Sequence, residues 1–204
     1  EWLAASGDGF HVGVSPMDAP LMAIGDIVRG TWPRSFGKRP AHLFSYVMNN
    51  YTPEGYKAAQ GGEFRFRTAV WSGREEDTVA WHRLGKEYQT PLEVNEIMRN
   101  DKLGTGNGRL PAEPSSLLRV SSPNVSLVTW KIAEDDASEL VLRFVEVAGK
   151  TEKFRCEFPF HTVLSVGRCN ALERLQTSLS PEGNGFATEA RPFEIITLRL
   201  RLGE

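Results

Sequence analysis

Ile196-Thr197-Leu198-Arg199-Leu200-Arg201-Leu202 alternates apolar and polar residues without a break. Ile196, Leu198, Leu200 and Leu202 therefore share one face, and Thr197, Arg199 and Arg201 the other. Period two is the mark of a half-buried strand, because successive side chains point to opposite sides of a sheet. Glu63-Phe64-Arg65-Phe66-Arg67-Thr68-Ala69-Val70 repeats the pattern, with Phe64, Phe66, Thr68 and Val70 opposed to Arg65 and Arg67. The same reading predicts strands over 10–14, 42–49, 116–120, 124–132, 139–147, 151–158, 162–168 and 185–191. Gly, Pro, Asn and Asp punctuate them, as in Ser180-Pro181-Glu182-Gly183-Asn184-Gly185. Many short strands between frequent turns predict an all-β sandwich class rather than parallel βαβ units.

One segment departs from this pattern. Glu75, Glu76 and Asp77 precede Val79, Ala80, Trp81, Leu84 and Tyr88. Acids at a helix start complement its dipole, and Trp81, Leu84 and Tyr88 recur at helical spacing. Pro91 stops the helix. Gly104-Thr105-Gly106-Asn107-Gly108, followed by Pro111 and Pro114, reads as a linker. It divides the chain into a loop-rich first domain, 1–112, and a more regular β domain, 113–204.

The chain has 204 residues, of which 40% are hydrophobic and 25% charged, with 24 basic and 26 acidic side chains and a formal charge of −2. Such a balance gives no basic field for nucleic acid or an anionic membrane, and neither is expected as a partner. No stretch approaches the ~20 apolar residues needed to span a bilayer. Glu1-Trp2-Leu3 carries no Met and no signal-peptide pattern, so the expectation is a soluble fragment or processed chain. The two cysteines, Cys156 and Cys169, permit a disulfide without implying one. Asn124-Val125-Ser126 fits a glycosylation triplet, a pattern frequent by chance.

No catalytic constellation emerges. Acids such as Asp18, Asp26, Glu54, Glu63, Asp135 and Asp136 sit in no motif that marks them as acid or nucleophile. Asp135-Asp136 reads as a turn between the strands at 124–132 and 139–147. His11, His42, His82 and His161 show no metal-ligand spacing, and no metal site is expected in this chain. Cys156, in an alternating strand, reads as a small core residue. Asp18 reads as a buried loop acid capping backbone N–H groups. Asn49, Asn50, Tyr51 and Gln60 are the substrate-binding candidates: amides hydrogen-bond sugar hydroxyls and aromatic rings stack on sugar faces. The competing reading of Asn49-Asn50 is an Asx turn at a strand end.

Several segments, in order, resemble one family. Asp18-Ala19-Pro20-Leu21, Gly25-Asp26, Leu43-Phe44-Ser45-Tyr46-Val47-Met48-Asn49-Asn50-Tyr51, Tyr56-Lys57, Gln60-Gly61-Gly62 and Phe64-Arg65-Phe66-Arg67 resemble the distal β region of family 38 glycoside hydrolases, the α-mannosidases. Val125–Lys131, Leu140–Glu146, Asn170-Ala171-Leu172-Glu173 and Arg191-Pro192-Phe193-Glu194-Ile195-Ile196-Thr197-Leu198 resemble that family's terminal β domain. Where the family has an aromatic and histidine-bearing step after Asn-Asn-Tyr, this sequence has Thr52-Pro53-Glu54-Gly55.

The resemblance implies a mutarotase-like supersandwich part followed by a smaller C-terminal β-sandwich. It implies an accessory region of a retaining α-mannosidase whose nucleophile and zinc site lie in an N-terminal catalytic domain. No residue here matches those motifs, so the chain alone is expected to be non-catalytic, with no cofactor of its own. Its expected partners are that catalytic domain, in the same polypeptide or a separate chain, and an α-mannoside; its expected location, for a microbial source, is cytoplasmic. The alternatives are a stand-alone carbohydrate-binding sandwich, with Trp32, Trp71 or Trp81 as stacking platform, and a purely structural interaction module.

Overall fold

The computed structural model describes residues 2–25, 34–35, 40–48, 59–74, 76–94 and 115–203. They fall into two compact units, Glu1–Val94 and Asn95–Glu204. The linker expected around 104–114, with its boundary at 112/113, lies outside the described residues.

The first unit contains β1 (Leu3–Gly7), β2 (Phe10–Pro16), β3 (Met22–Ile24), β4 (Leu43–Ser45), β5 (Thr68–Gly73) and helix α1 (Thr78–Gln89). One antiparallel sheet has the order β1-β2-β5, and β3 and β4 form a separate two-stranded ribbon. Gly13 faces Trp71 across β2 and β5. A Cβ there would lie 2.1 Å from the indole Nε1, so only glycine lets the ring lie flat on the strand. Trp71 Nε1 and His11 Nδ1 are buried without a hydrogen-bond partner among the described residues.

Helix α1 begins where the sequence places it. Asp77 caps it, its carboxylate accepting the Ala80 N–H at 2.9 Å. Thr90 ends it by donating its N–H to Lys86 O, one residue before Pro91. The buried positions are Trp81 and Gly85, whereas Leu84, expected in the apolar stripe, is exposed. Gly85 matters because Trp2 packs on it; a Cβ would stand 2.9 Å from Trp2 Cβ.

The strand expected over 63–70 is corrected. Pairing begins at Thr68, opposite Pro16, and residues 63–67 lie outside any strand. Pro16 has no N–H to extend the ladder. Beyond it, Met17 N donates to Arg67 O at 3.0 Å, and the Asp18 side chain takes the place of a strand partner. The face of Phe64, Phe66, Thr68 and Val70 is the exposed one, and Ala69 and Trp71 point to the better-buried side. Among the described residues the strand expected over 42–49 shortens to Leu43–Ser45, Asn49 lying outside them, and that over 116–120 shortens to Arg119–Val120.

The second unit is a β-sandwich of β6 (Arg119–Val120), β7 (Val125–Ile132), β8 (Leu140–Glu146), β9 (Glu152–Glu157), β10 (Thr162–Cys169), β11 (Leu175–Leu179), β12 (Gly185–Ala190) and β13 (Ile195–Gly203). Its sheets run β11-β10-β13-β8-β7 and β12-β9-β6. Ile196, Leu198 and Leu200 on β13 face the core at 2%, 0% and 1% exposure, as the alternation requires. They pack with Leu142, Phe144, Phe154, Cys156, Phe158 and Phe186. The Phe144 and Phe154 rings meet edge to face, centroids 5.6 Å apart. The all-β expectation therefore holds, with one short helix in the first unit.

Candidate functional site

In the first unit the family-like segments converge. Asp18 receives the Arg67 backbone N–H at 2.7 Å and, on both oxygens, the Arg67 guanidinium at 2.7 and 3.0 Å. These bonds hold the Asp18 carboxyl down at about 2. It caps backbone as expected, but its side chain remains one-quarter exposed rather than buried, at 25%. Four residues on, the chain enters β3, whose Met22, Ala23 and Ile24 pair with Ser45, Phe44 and Leu43 of β4. Tyr46 N and Gly25 N close this ribbon on Leu21 O and His42 O. Asp18 thus ties the loop before β3 to the segment leading from Gln60 to β5.

Of the substrate-binding candidates, Gln60 is exposed in that segment. Asn49, Asn50 and Tyr51 lie outside the described residues. His82 takes a bond from Trp2 Nε1 at 3.3 Å, and His42 is exposed just before β4. Of the three tryptophans expected as platforms, Trp32 lies outside the described residues. Trp81 is buried at 6%, and Trp71 is laid against Gly13. Burial removes Trp81 as a platform, and β2 covers one face of the half-buried Trp71.

In the second unit the motif residues fix turns. Glu146, fully buried, accepts N–H groups from Ala148, Gly149 and Phe193 at 2.8, 2.8 and 2.9 Å. It thereby ties the turn after β8 to the Arg191–Glu194 turn. Phe193 sits at φ 57 with its ring over Gly149, which has φ +72. Glu194 accepts Arg191 N and bridges Arg191 and Arg168, and these cations and N–H bonds lower its pKa against the opposing effect of burial, the largest single influence.

The Asn170–Arg174 loop is a strap over the outer face of the five-stranded sheet. Asn170 Oδ1 accepts Leu172 N and Arg174 N, both at 3.0 Å. Arg143 donates to Ala171 O, and Glu173, at φ 63, pairs with Lys131 at 2.7 Å and accepts Glu134 N. Bonding to Lys131 lowers the Glu173 pKa. Beneath the strap Val141, Cys169 and Thr197 are buried at 0%, 7% and 4%.

Asp135-Asp136 forms the expected turn, Asp136 accepting Ser138 N and Oγ. That turn also carries ion pairs the alternation did not reveal: Arg199 with Asp135 and Glu139, and Arg201 with Asp136. The Asn124 amide of the glycosylation triplet donates to Glu152, beside Ser122. Cys156 and Cys169 are both free thiols. Among the described residues no three His, Cys, Asp or Glu side chains cluster as metal ligands. No helix among them is long and apolar enough to cross a membrane.

Residues 124–198 match the model of the glycosyl hydrolases family 38 C-terminal beta sandwich domain. Within the second unit, these residues are similar to the C-terminal β-sandwich of that family. The match spans β7 to the middle of β13 and includes the strap, the Glu146 turn lock and the Arg191–Glu194 turn. In this sandwich the Asn-Ala-Leu-Glu and Arg-Pro-Phe-Glu segments close turns of the fold. The match supports reading the second unit as an accessory part of a family 38 glycosyl hydrolase protein. No curated protein matches the chain.

Proposed function

We propose that this chain is a non-catalytic accessory region of a retaining α-mannosidase. It acts with a catalytic domain, on the same polypeptide or a separate chain, that supplies the nucleophile and the zinc. The carrying observation is the family 38 match over a sandwich whose motif carboxylates, Glu146, Glu173 and Glu194, each have both oxygens engaged by backbone N–H groups or cations. Acids tied up in holding turns are poorly suited to act as the acid or nucleophile of sugar hydrolysis. In this reading the loops joined by Asp18 and Arg67 form a wall beside the catalytic cleft, with Asn49, Asn50, Tyr51 and Gln60 as its sugar-facing groups.

The test is hydrolysis of an aryl α-mannoside with added zinc, by this chain, by a family 38 catalytic domain and by the two together. Turnover that needs the catalytic domain and is raised by this chain supports the proposal. Hydrolysis by the 204 residues alone overturns it. In the combined enzyme, Asn50→Ala is expected to lower turnover while leaving the melting temperature within a degree or so.

A further inference from the structure

We infer that the second unit holds a binding site for a small oxyanion, a carboxylate or phosphate group on a ligand up to hexose size, centred on Arg143. A cavity of about 410 Å³ opens beside the strap, lined by Arg143, Arg168, Asn170, Gln176, Glu194 and Thr197 among others. The guanidinium of Arg143 is held in place: Nε donates to Thr197 Oγ1 and Nη2 to Ala171 O, both at 3.1 Å. A guanidinium has five N–H donors, so Nη1 and the second Nη2 hydrogen remain, the end-on fork that receives an oxyanion in two parallel bonds. Among the described residues Arg143 makes no salt bridge; the nearby Glu173 carboxylate feels its charge but is ion-paired with Lys131. The other charges of the cavity cancel, since Arg168 pairs with Glu194 at 2.9 Å.

Two amides complete the donor set. Asn170 uses only Oδ1 on the strap, which leaves its Nδ2 amino group. The Gln176 side chain makes no hydrogen bond among the described residues. An oriented cation whose outward fork is not taken by a salt bridge, flanked by neutral donors in a concave wall, is the arrangement that recognises an anionic head on an otherwise polar body. The site stands apart from the accessory role proposed above and does not depend on it.

The 204-residue chain is titrated with inorganic phosphate, with glucuronate and, as neutral control, with mannose, following backbone amides of Arg143, Ala171 and Gln176 by NMR. Saturable shifts with an anion and none with mannose are expected. A response to only one of the two anions assigns the group as phosphate or carboxylate. Arg143→Gln should weaken binding by about tenfold or more, the loss of one charge-assisted fork. Gln176→Ala, at an exposed position, should weaken it several-fold with an unchanged melting temperature. The inference is overturned if neither anion gives a saturable shift, if mannose shifts the same amides equally, or if Gln176→Ala and a folded Arg143→Gln bind like the parent. Should Arg143→Gln not fold, Arg143→Lys keeps the charge without the fork, and parent-like affinity there overturns it too.

Discussion

Glu173 and Lys131 lie on opposite margins of one sheet and meet at 2.7 Å, because the loop carrying Glu173 leaves β10 and crosses β13 and β8 before reaching β7. Glu173→Ala should free this strap. Amide exchange at Asn170–Arg174 and at Glu134 is expected to rise, and the melting temperature to fall, with the circular dichroism of the sheet retained. Lys131→Met should do less, since Glu173 keeps the Glu134 N–H. Equal exchange in parent and Glu173→Ala would show that the strap is held by its own turn alone.

Glu146→Ala removes the acceptor of three part-buried N–H groups at once. Each buried donor left unsatisfied costs about 1–3 kcal/mol, less where water enters, so a loss of about 3 kcal/mol in urea unfolding of the second unit is expected. Glu146→Gln should fall between, because its amino group faces donors on one side. A change under about 1 kcal/mol for the alanine variant would mean that water replaces the carboxylate.

The Asp18–Arg67 clamp should respond to acid. Asp18 has a folded pKa of about 2 against an ordinary 3.8, so its contribution to stability is complete above pH 3.8 and is lost as pH falls through about 2. Carboxyl NMR of Asp18 should show that low midpoint. The Arg67 amide should lose protection over the same window, and Asp18→Asn should abolish the dependence. A midpoint near 3.8 would place Asp18 in open solvent.

Thiol reagents should find the native protein unreactive at Cys156, where burial pushes the thiol up to about 12, and slow at Cys169, raised by burial as well. Both should react at once in denaturant, and the mass should show no disulfide. Rapid native labelling of Cys156 would require the sandwich to open between β9 and β12.

The strands of the second unit were legible because their two faces differ in polarity: Leu198 and Leu200 against Arg199 and Arg201 is a pattern that only a half-buried strand explains. Leu3–Gly7 and Leu175–Leu179 escaped because the sequences Leu-Ala-Ala-Ser-Gly and Leu-Gln-Thr-Ser-Leu do not alternate and lie at sheet margins. The Phe64–Val70 alternation misled because Pro16 ends the ladder on its neighbour, a fact held by a residue far away in sequence. Glu146 and Arg143 gave no signal at all. A buried acid and a guanidinium held outside any salt bridge are defined by what surrounds them, and composition assigns both to the surface.

The position of β13 also dictates an order of events during synthesis. It lies between β10 and β8, although it follows every other strand of the unit in sequence. Until Ile195–Gly203 emerges from the ribosome, β7–β8 and β10–β11 are two unconnected hairpins, each with a bare edge open to stray pairing. A nascent chain must therefore wait in that vulnerable form and join its halves in one late step. A stop codon before Ile195 would remove the keystone rather than trim a tail.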